Sequence, residues 1–145
     1  MECAVIGAGV SGLTCALRLL EKGHLVTIYS NKFSPNTVSD VAAAIWYPFL
    51  SYPIKKTNRW SLETYSELYK ISLNSPESGV TIRKGREFLR DKISPPDWTK
   101  GIDGFRILEK NELVNDYIFG WEFEAPVIQM NLYTVSYTHL RAHET

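Results

Sequence analysis

Three glycines near the N-terminus have the residue type and spacing to do chemistry. Gly7, Gly9 and Gly12 stand in the order G-x-G-x-x-G within Val5-Ile6-Gly7-Ala8-Gly9-Val10-Ser11-Gly12-Leu13. In that spacing the first glycine allows a tight turn out of a strand, and the second leaves bare backbone beside a phosphate. The third lets the following helix lie close on the sheet. The chemistry is anion binding, with the amides and positive dipole end of a helix facing a pyrophosphate. Such sites usually offer a carboxylate to a ribose at the end of the next strand. Here Tyr29 is followed by Ser30, Asn31 and Lys32, and no acid comes before Asp40. The Asn31 amide oxygen can accept from a ribose hydroxyl, without charge assistance. Lys32 can reach the adenine or a phosphate, or stand solvated. His139 and His143, four residues apart, invite a metal reading. No third ligand is placed nearby and Glu144 is in the wrong register for a zinc-protease motif, so no metal site is assigned.

The elements that must position the glycines follow from the pattern around them. Cys3-Ala4-Val5-Ile6 is a short apolar run, expected of a central parallel strand covered on both faces. Val10, Leu13, Leu17 and Leu20 recur at helical spacing, with Arg18, Glu21 and Lys22 opposite and Gly23 at the cap. Leu25-Val26-Thr27-Ile28-Tyr29 reads as the second strand and completes a βαβ unit. Residues 30–40 are polar and turn-rich. Residues 41–50 (Val-Ala-Ala-Ala-Ile-Trp-Tyr-Pro-Phe-Leu) suit a backbone lying flat against something large and rigid, or else a core helix with an alanine face. A helix opens within residues 58–63, with Leu62, Tyr65, Leu68, Tyr69 and Leu73 as its apolar stripe and Pro76 and Gly79 beyond its end.

From Val80 the period changes. Residues 80–83, 88–90, 105–108 and 117–123 read as strands, 93–104 as a loop anchored by Trp98, and 109–114 as a short helix. Residues 134–145 show no clear period, cap or turn grammar. The expected fold is therefore α/β in its first part and α+β overall: a Rossmann-type βαβ start followed by the beginning of a β-rich domain. The expected division is 1–73 for the nucleotide-binding part, 74–133 for the start of the β-rich domain, and 134–145 for a tail.

Composition removes several function classes. Sixteen acidic and sixteen basic residues balance without a block of one sign, which argues against nucleic acid and anionic membrane as partners. No apolar run approaches the ~20 residues of a membrane span. Met1-Glu2 leads straight into a strand with no cationic leader, so no signal peptide is expected. Cys3 and Cys15, the only cysteines, read as small buried hydrophobes in a reducing, cytoplasmic setting.

The residues leave two cofactor classes, a nicotinamide dinucleotide or FAD. Small residues at 42–44 let backbone amides approach a wide planar ring. Nicotinamide enzymes have no general need for such a segment directly after the second strand, which favours FAD.

With both stretches placed, the chain resembles the N-terminal part of the D-amino-acid oxidase family of FAD-dependent oxidoreductases. The first match is residues 5–13. The second is Phe33-Ser34-Pro35 followed by Asp40-Val41-Ala42-Ala43-Ala44-Ile45-Trp46-Tyr47-Pro48-Phe49, and it is the more specific of the two. Trp60-Ser61, Gly104-Phe105-Arg106 and Tyr117-Ile118-Phe119-Gly120-Trp121 continue the likeness in order, to about residue 133.

The resemblance implies that Gly7, Ala8, Gly9, Val10, Ser11 and Gly12 hold the pyrophosphate and that Asn31 and Lys32 face the adenosine. It places Thr37, Val38 and Ser39 near the phosphates and ribose, and Ala43, Ala44 and Ile45 along the flavin ring. The family often has Asp-Arg where this chain has Asn31-Lys32, and Gln where it has Tyr47. The implied reaction is oxidative deamination of a D-amino acid, with oxygen as the second substrate and hydrogen peroxide as a product. Related amine oxidases acting on glycine, D-aspartate or a secondary amine, and an NAD(P)-dependent dehydrogenase, are the alternatives. The family's substrate-orienting arginine and tyrosines would lie beyond this chain, as would any peroxisomal address. The chain is accordingly expected to be an inactive N-terminal fragment that neither folds stably nor retains FAD. Its last residues are expected to be non-native.

Overall fold

In the computed structural model, which describes residues 1–140 and the side chains of residues 1–137, β1 (Glu2–Ile6) and β2 (Leu25–Tyr29) pair in parallel. Glu2 lies opposite Leu25, and Ile6 opposite Tyr29. Between them runs α1 (Val10–Glu21), so the βαβ unit forms as its apolar periodicity requires. Leu13 and Ala16, one turn apart, are its buried residues. Arg18 and Glu21 pair on its outer side at 2.8 Å. The Gly23 N–H donates to the Leu20 carbonyl and the His24 N–H to that of Leu19, which closes the helix where the sequence places its cap.

Two expectations fail here. The strands are covered by α1 on one face only, so Cys3, Val5, Val26 and Ile28 are half-buried while Ile6, Leu25 and Tyr29 are exposed, Ile6 to 90%. A parallel strand hidden on both faces needs a second layer, and no described element supplies one. Cys15 is exposed and Cys3 half-buried. Cys15 lies two residues from Leu13, roughly 200° around a helix, and therefore points away from the buried stripe.

The chain divides into two compact units. The first gathers residues 1–44, 77–79 and 128 onward, and the second residues 45–76 and 80–127. In the first unit a 3-10 turn (Val38–Val41) follows β2, and α3 (Met130–Leu140) packs on that turn and on α1. Met130, Tyr133 and Thr134 are its buried contacts. The stretch from Thr134, expected to be patternless, is thus helical to Leu140. His139 and His143, the pair considered for a metal, lie outside the described side chains.

Helix is excluded for residues 41–50. Beyond the 3-10 turn comes only β3 (Ala44–Ile45), where the chain passes into the second unit. That unit holds α2 (Ile54–Asn74), β4 (Val80–Leu89), β5 (Arg106–Ile107) and β6 (Phe119–Ile128). β6 is central, flanked by β3 and β4 and paired antiparallel with β5. The core is aromatic: Trp46, Tyr47 and Phe123 each pack their rings against Trp98, at 5.6, 5.5 and 5.5 Å between centroids. The boundary expected at residues 73/74 falls where α2 ends, yet α2 groups with the sheet that follows it, because Tyr65 and Leu68 bury themselves in this core.

Candidate functional site

The site begins at the turn from β1 into α1. Gly7 has φ +104°, a conformation open to glycine, and its N–H donates to the Tyr29 carbonyl at 2.7 Å, tying the turn to the end of β2. At Gly12 the need is space. A Cβ there would stand 2.0 Å from the Gly7 carbonyl oxygen, so only glycine lets the first turn of the helix lie this close to the strand end.

Gly9 is the N-cap of α1 and has no side chain to cap it. The helix therefore starts with unclaimed donors. The Val10 N–H is met from a distance by the Ser39 hydroxyl at 3.0 Å. The amides of Ser11 and Gly12 find no acceptor among the described residues. No acidic residue stands in the first turn. Free amides, the positive dipole end and an absent Cβ make a cradle suited to a diphosphate.

Of the residues singled out from sequence, the structure brings Gly7, Ala8, Gly9, Val10, Ser11, Gly12 and Ser39 together. Thr37 and Val38 lie on the same short turn as Ser39, with Val38 exposed to 86%. Asn31 and Lys32 are exposed just beyond Tyr29, where the Ser30 hydroxyl bonds the Lys32 backbone at 2.6 Å and shapes the turn. Ala43 and Ile45 are exposed and Ala44 half-buried, and no hydrogen bond among the described residues joins these three to the cradle. Tyr47, noted as a departure from the family's Gln, donates its hydroxyl to Glu87 Oε2 at 2.8 Å, as does the Trp121 indole. Burial, then the neighbouring Glu87 carboxylate, pushes the Tyr47 phenol well above its ordinary value. It is thereby held neutral, as a hydrogen-bond donor.

Asp40 was read from the sequence only as part of a matching segment. In the structure it is a hub. Its Oδ2 accepts from the Thr37 N–H (2.8 Å) and hydroxyl (2.6 Å), and its Oδ1 from the hydroxyls of Ser34 (2.7 Å) and Thr134 (2.6 Å). Burial opposes its ionisation, but the Ser34, Thr134 and Thr37 donors outweigh that and hold the carboxyl well below the usual carboxylate range. The signal was present: Thr37 and Asp40 have the T-x-x-D spacing of a capping box, and both halves of the box form.

A βαβ unit whose first turn presents amides over paired glycines defines a dinucleotide-binding protein of Rossmann type. Residues 2–137 match the family model described as FAD dependent oxidoreductase, and the chain belongs to that family, whose cofactor is FAD.

Among its relatives are a D-amino-acid oxidase of Rubrobacter xylanophilus, 35% identical over 91% of this chain and 40% of its own, and one of Dictyostelium discoideum, 36% identical over 83% and 36%. A D-aspartate oxidase of Homo sapiens is 35% identical over 83% of this chain and 38% of its own. The chain thus spans about two fifths of the length of the curated relatives it matches. A glycine oxidase structure from Bacillus cereus shares the fold, with a TM-score of 0.63 at 21% identity over 96% of this chain and 43% of that one.

Among the described residues no helix is long and apolar enough to cross a membrane, and no group of three or more His, Cys, Asp or Glu could hold a metal ion.

Proposed function

We propose that this chain is the N-terminal, FAD-holding part of a D-amino-acid oxidase. The observation that carries the reading is the identity of 35% and 36% to two D-amino-acid oxidases over 91% and 83% of this chain. Gly7 to Gly12 would receive the pyrophosphate on the Ser11 and Gly12 amides. Asn31 and Lys32 would face the adenosine, and Thr37, Val38 and Ser39 the phosphates and ribose. Ala43, Ala44 and Ile45 would lie along the flavin, where small side chains keep backbone close to a planar ring. When bound, FAD supplies the acceptor for the α-carbon hydride of a D-amino acid, with oxygen as the final oxidant. The products are hydrogen peroxide and an imino acid that hydrolyses to a keto acid. Residues beyond position 133 would orient the substrate, and the setting would be cytoplasmic.

The test is the gene product purified at its full length. Released flavin should be FAD, and D-alanine should generate peroxide while L-alanine does not. A colourless protein that binds NADH would overturn the reading in favour of a dehydrogenase. The human relative gives a second reading, an acidic D-amino acid as substrate. Peroxide formed on D-aspartate and not on D-alanine would select it.

A further inference from the structure

The turn at residues 38–41 is built inside out. Its polar residues Ser39 and Asp40 point inward, while Val38 and Val41 are exposed to 86% and 84%. Turning polar groups inward carries a desolvation cost that their hydrogen bonds must offset. The inward pair is also adjacent. Ser39 reaches the Val10 N–H at 3.0 Å, and its Oγ stands 2.9 Å from where a Cβ on Gly9 would be. Asp40 takes four hydrogen bonds from Ser34, Thr37 and Thr134, which pin the backbone on both sides of Ser39. The Asp40 N–H donates to the Thr37 carbonyl and the Ala42 N–H to that of Ser39, so the turn has little freedom to shift once the carboxylate is satisfied.

We propose that Asp40 is a positioning residue for the cofactor site: by gathering Ser34, Thr37 and Thr134 it fixes the Ser39 hydroxyl over the Gly9–Val10 peptide before any ligand arrives. The consequence is preorganisation. The Ser39 oxygen accepts a hydrogen bond from the Val10 N–H and keeps its own hydroxyl hydrogen for a phosphate oxygen, so a diphosphate meets a site already closed on one side. Asp40 itself touches no ligand, because both of its oxygens are filled by protein donors. This inference rests on the reading of residues 7–12 as the pyrophosphate cradle.

The experiment measures FAD and ADP binding by the full-length gene product stripped of flavin, together with hydrogen exchange at the Val10 amide. ADP carries the pyrophosphate without the flavin. Asp40→Asn keeps the shape but turns one acceptor oxygen into a donor, so the two bonds that oxygen accepts are lost as they stand. Both ligands should then bind about 10-fold more weakly, in line with the loss of a hydrogen bond to a charged group. The Val10 amide of the ligand-free protein should exchange about 10-fold faster. Ser39→Ala should give the same exchange change, and the double variant no more than either alone, since both act through one contact.

If Asp40→Asn does not fold, Thr37→Val, which removes one donor and leaves the carboxylate, must show a smaller loss of the same kind. Unchanged Val10 exchange and ligand affinity in the folded variants would overturn the positioning role and leave the cofactor reading standing. A wild-type protein that binds neither FAD nor ADP would overturn the cradle reading and this inference with it.

Discussion

Replacing Gly12 by alanine tests the close approach on which the cradle depends. The new Cβ would stand 2.0 Å from the Gly7 carbonyl oxygen and 2.9 Å from its carbon. Both are backbone atoms of a residue held at φ +104° and tied to Tyr29 through its N–H. No side chain can rotate out of the way, so the first turn of α1 must lift by about 1 Å to reach a tolerable contact. Overpacking of this kind costs typically 1–3 kcal/mol, and a clash against rigid backbone belongs at the upper end, about 2–3 kcal/mol.

Tryptophan fluorescence would miss the effect, because Trp46, Trp60, Trp98 and Trp121 all lie in the second unit. Hydrogen exchange at the Leu13 and Ala16 amides reports α1 directly. At tenfold per 1.4 kcal/mol, exchange there should accelerate about 30- to 150-fold. Gly9→Ala is the control. Its Cβ meets only the Ser39 hydroxyl, at 2.9 Å, which can turn aside at the loss of one hydrogen bond worth about 1 kcal/mol. Equal exchange in Gly12→Ala and wild type would refute the reasoning, since α1 would then not be in contact with the turn.

Three further outcomes are expected. Trp98→Ala removes a ring that is 3% exposed and packs against Trp46, Tyr47 and Phe123, so urea unfolding followed by fluorescence should show a loss of about 3–5 kcal/mol. A change below about 1 kcal/mol would mean this core is not tightly packed. Tyr47→Phe leaves Glu87 bonded to the Trp121 indole and should cost only about 1 kcal/mol in the same assay, whereas loss of folding would show that the hydroxyl has a larger role. On acidification, the Arg106 hydrogen bonds hold Glu112 down to about 2 from 4.5, so its stabilisation is complete above pH 4.5 and is lost as pH falls toward 2. An acid titration of Glu112→Gln should therefore be flatter over that window, and an identical acid limb would contradict the assignment.

The sequence was legible where one local pattern decided the outcome. The βαβ start could be read because strand run, glycine spacing and helical period agree over residues 3–29. The stripe of α2 was seen, but its first turn was missed: Lys55, Lys56 and Thr57 are polar, and the helix starts after Pro53 without a capping side chain. Strand β4 runs unbroken through Gly85, where two shorter strands were expected, because its ladder partner β6 holds the backbone whatever the local propensity. β6 likewise runs through Pro126 to Ile128, beyond the end expected at residue 123. In the site, the glycines were legible, and of Asp40 only its local capping box with Thr37 could be read. The rest of its role comes from Ser34 and Thr134, and Thr134 is 94 residues away in the chain. No spacing rule reaches that far.

The discontinuous make-up of the first unit sets a schedule for its folding. Residues 1–44 leave the ribosome early, yet the segment from residue 128 that shares their unit follows more than eighty residues later. At 5–20 residues per second that is a wait of roughly 4–16 s. The second unit also waits, for its central strand β6, but its residues are complete once position 127 has emerged, before α3 is made. During the wait the turn at 38–41 lacks α3, the helix that packs on it. Chains arrested after residue 127 should therefore be cut by protease between residues 30 and 44, and chains extended past residue 140 should resist. Equal cleavage at both lengths would show that the nucleotide-binding end matures without its distant helix.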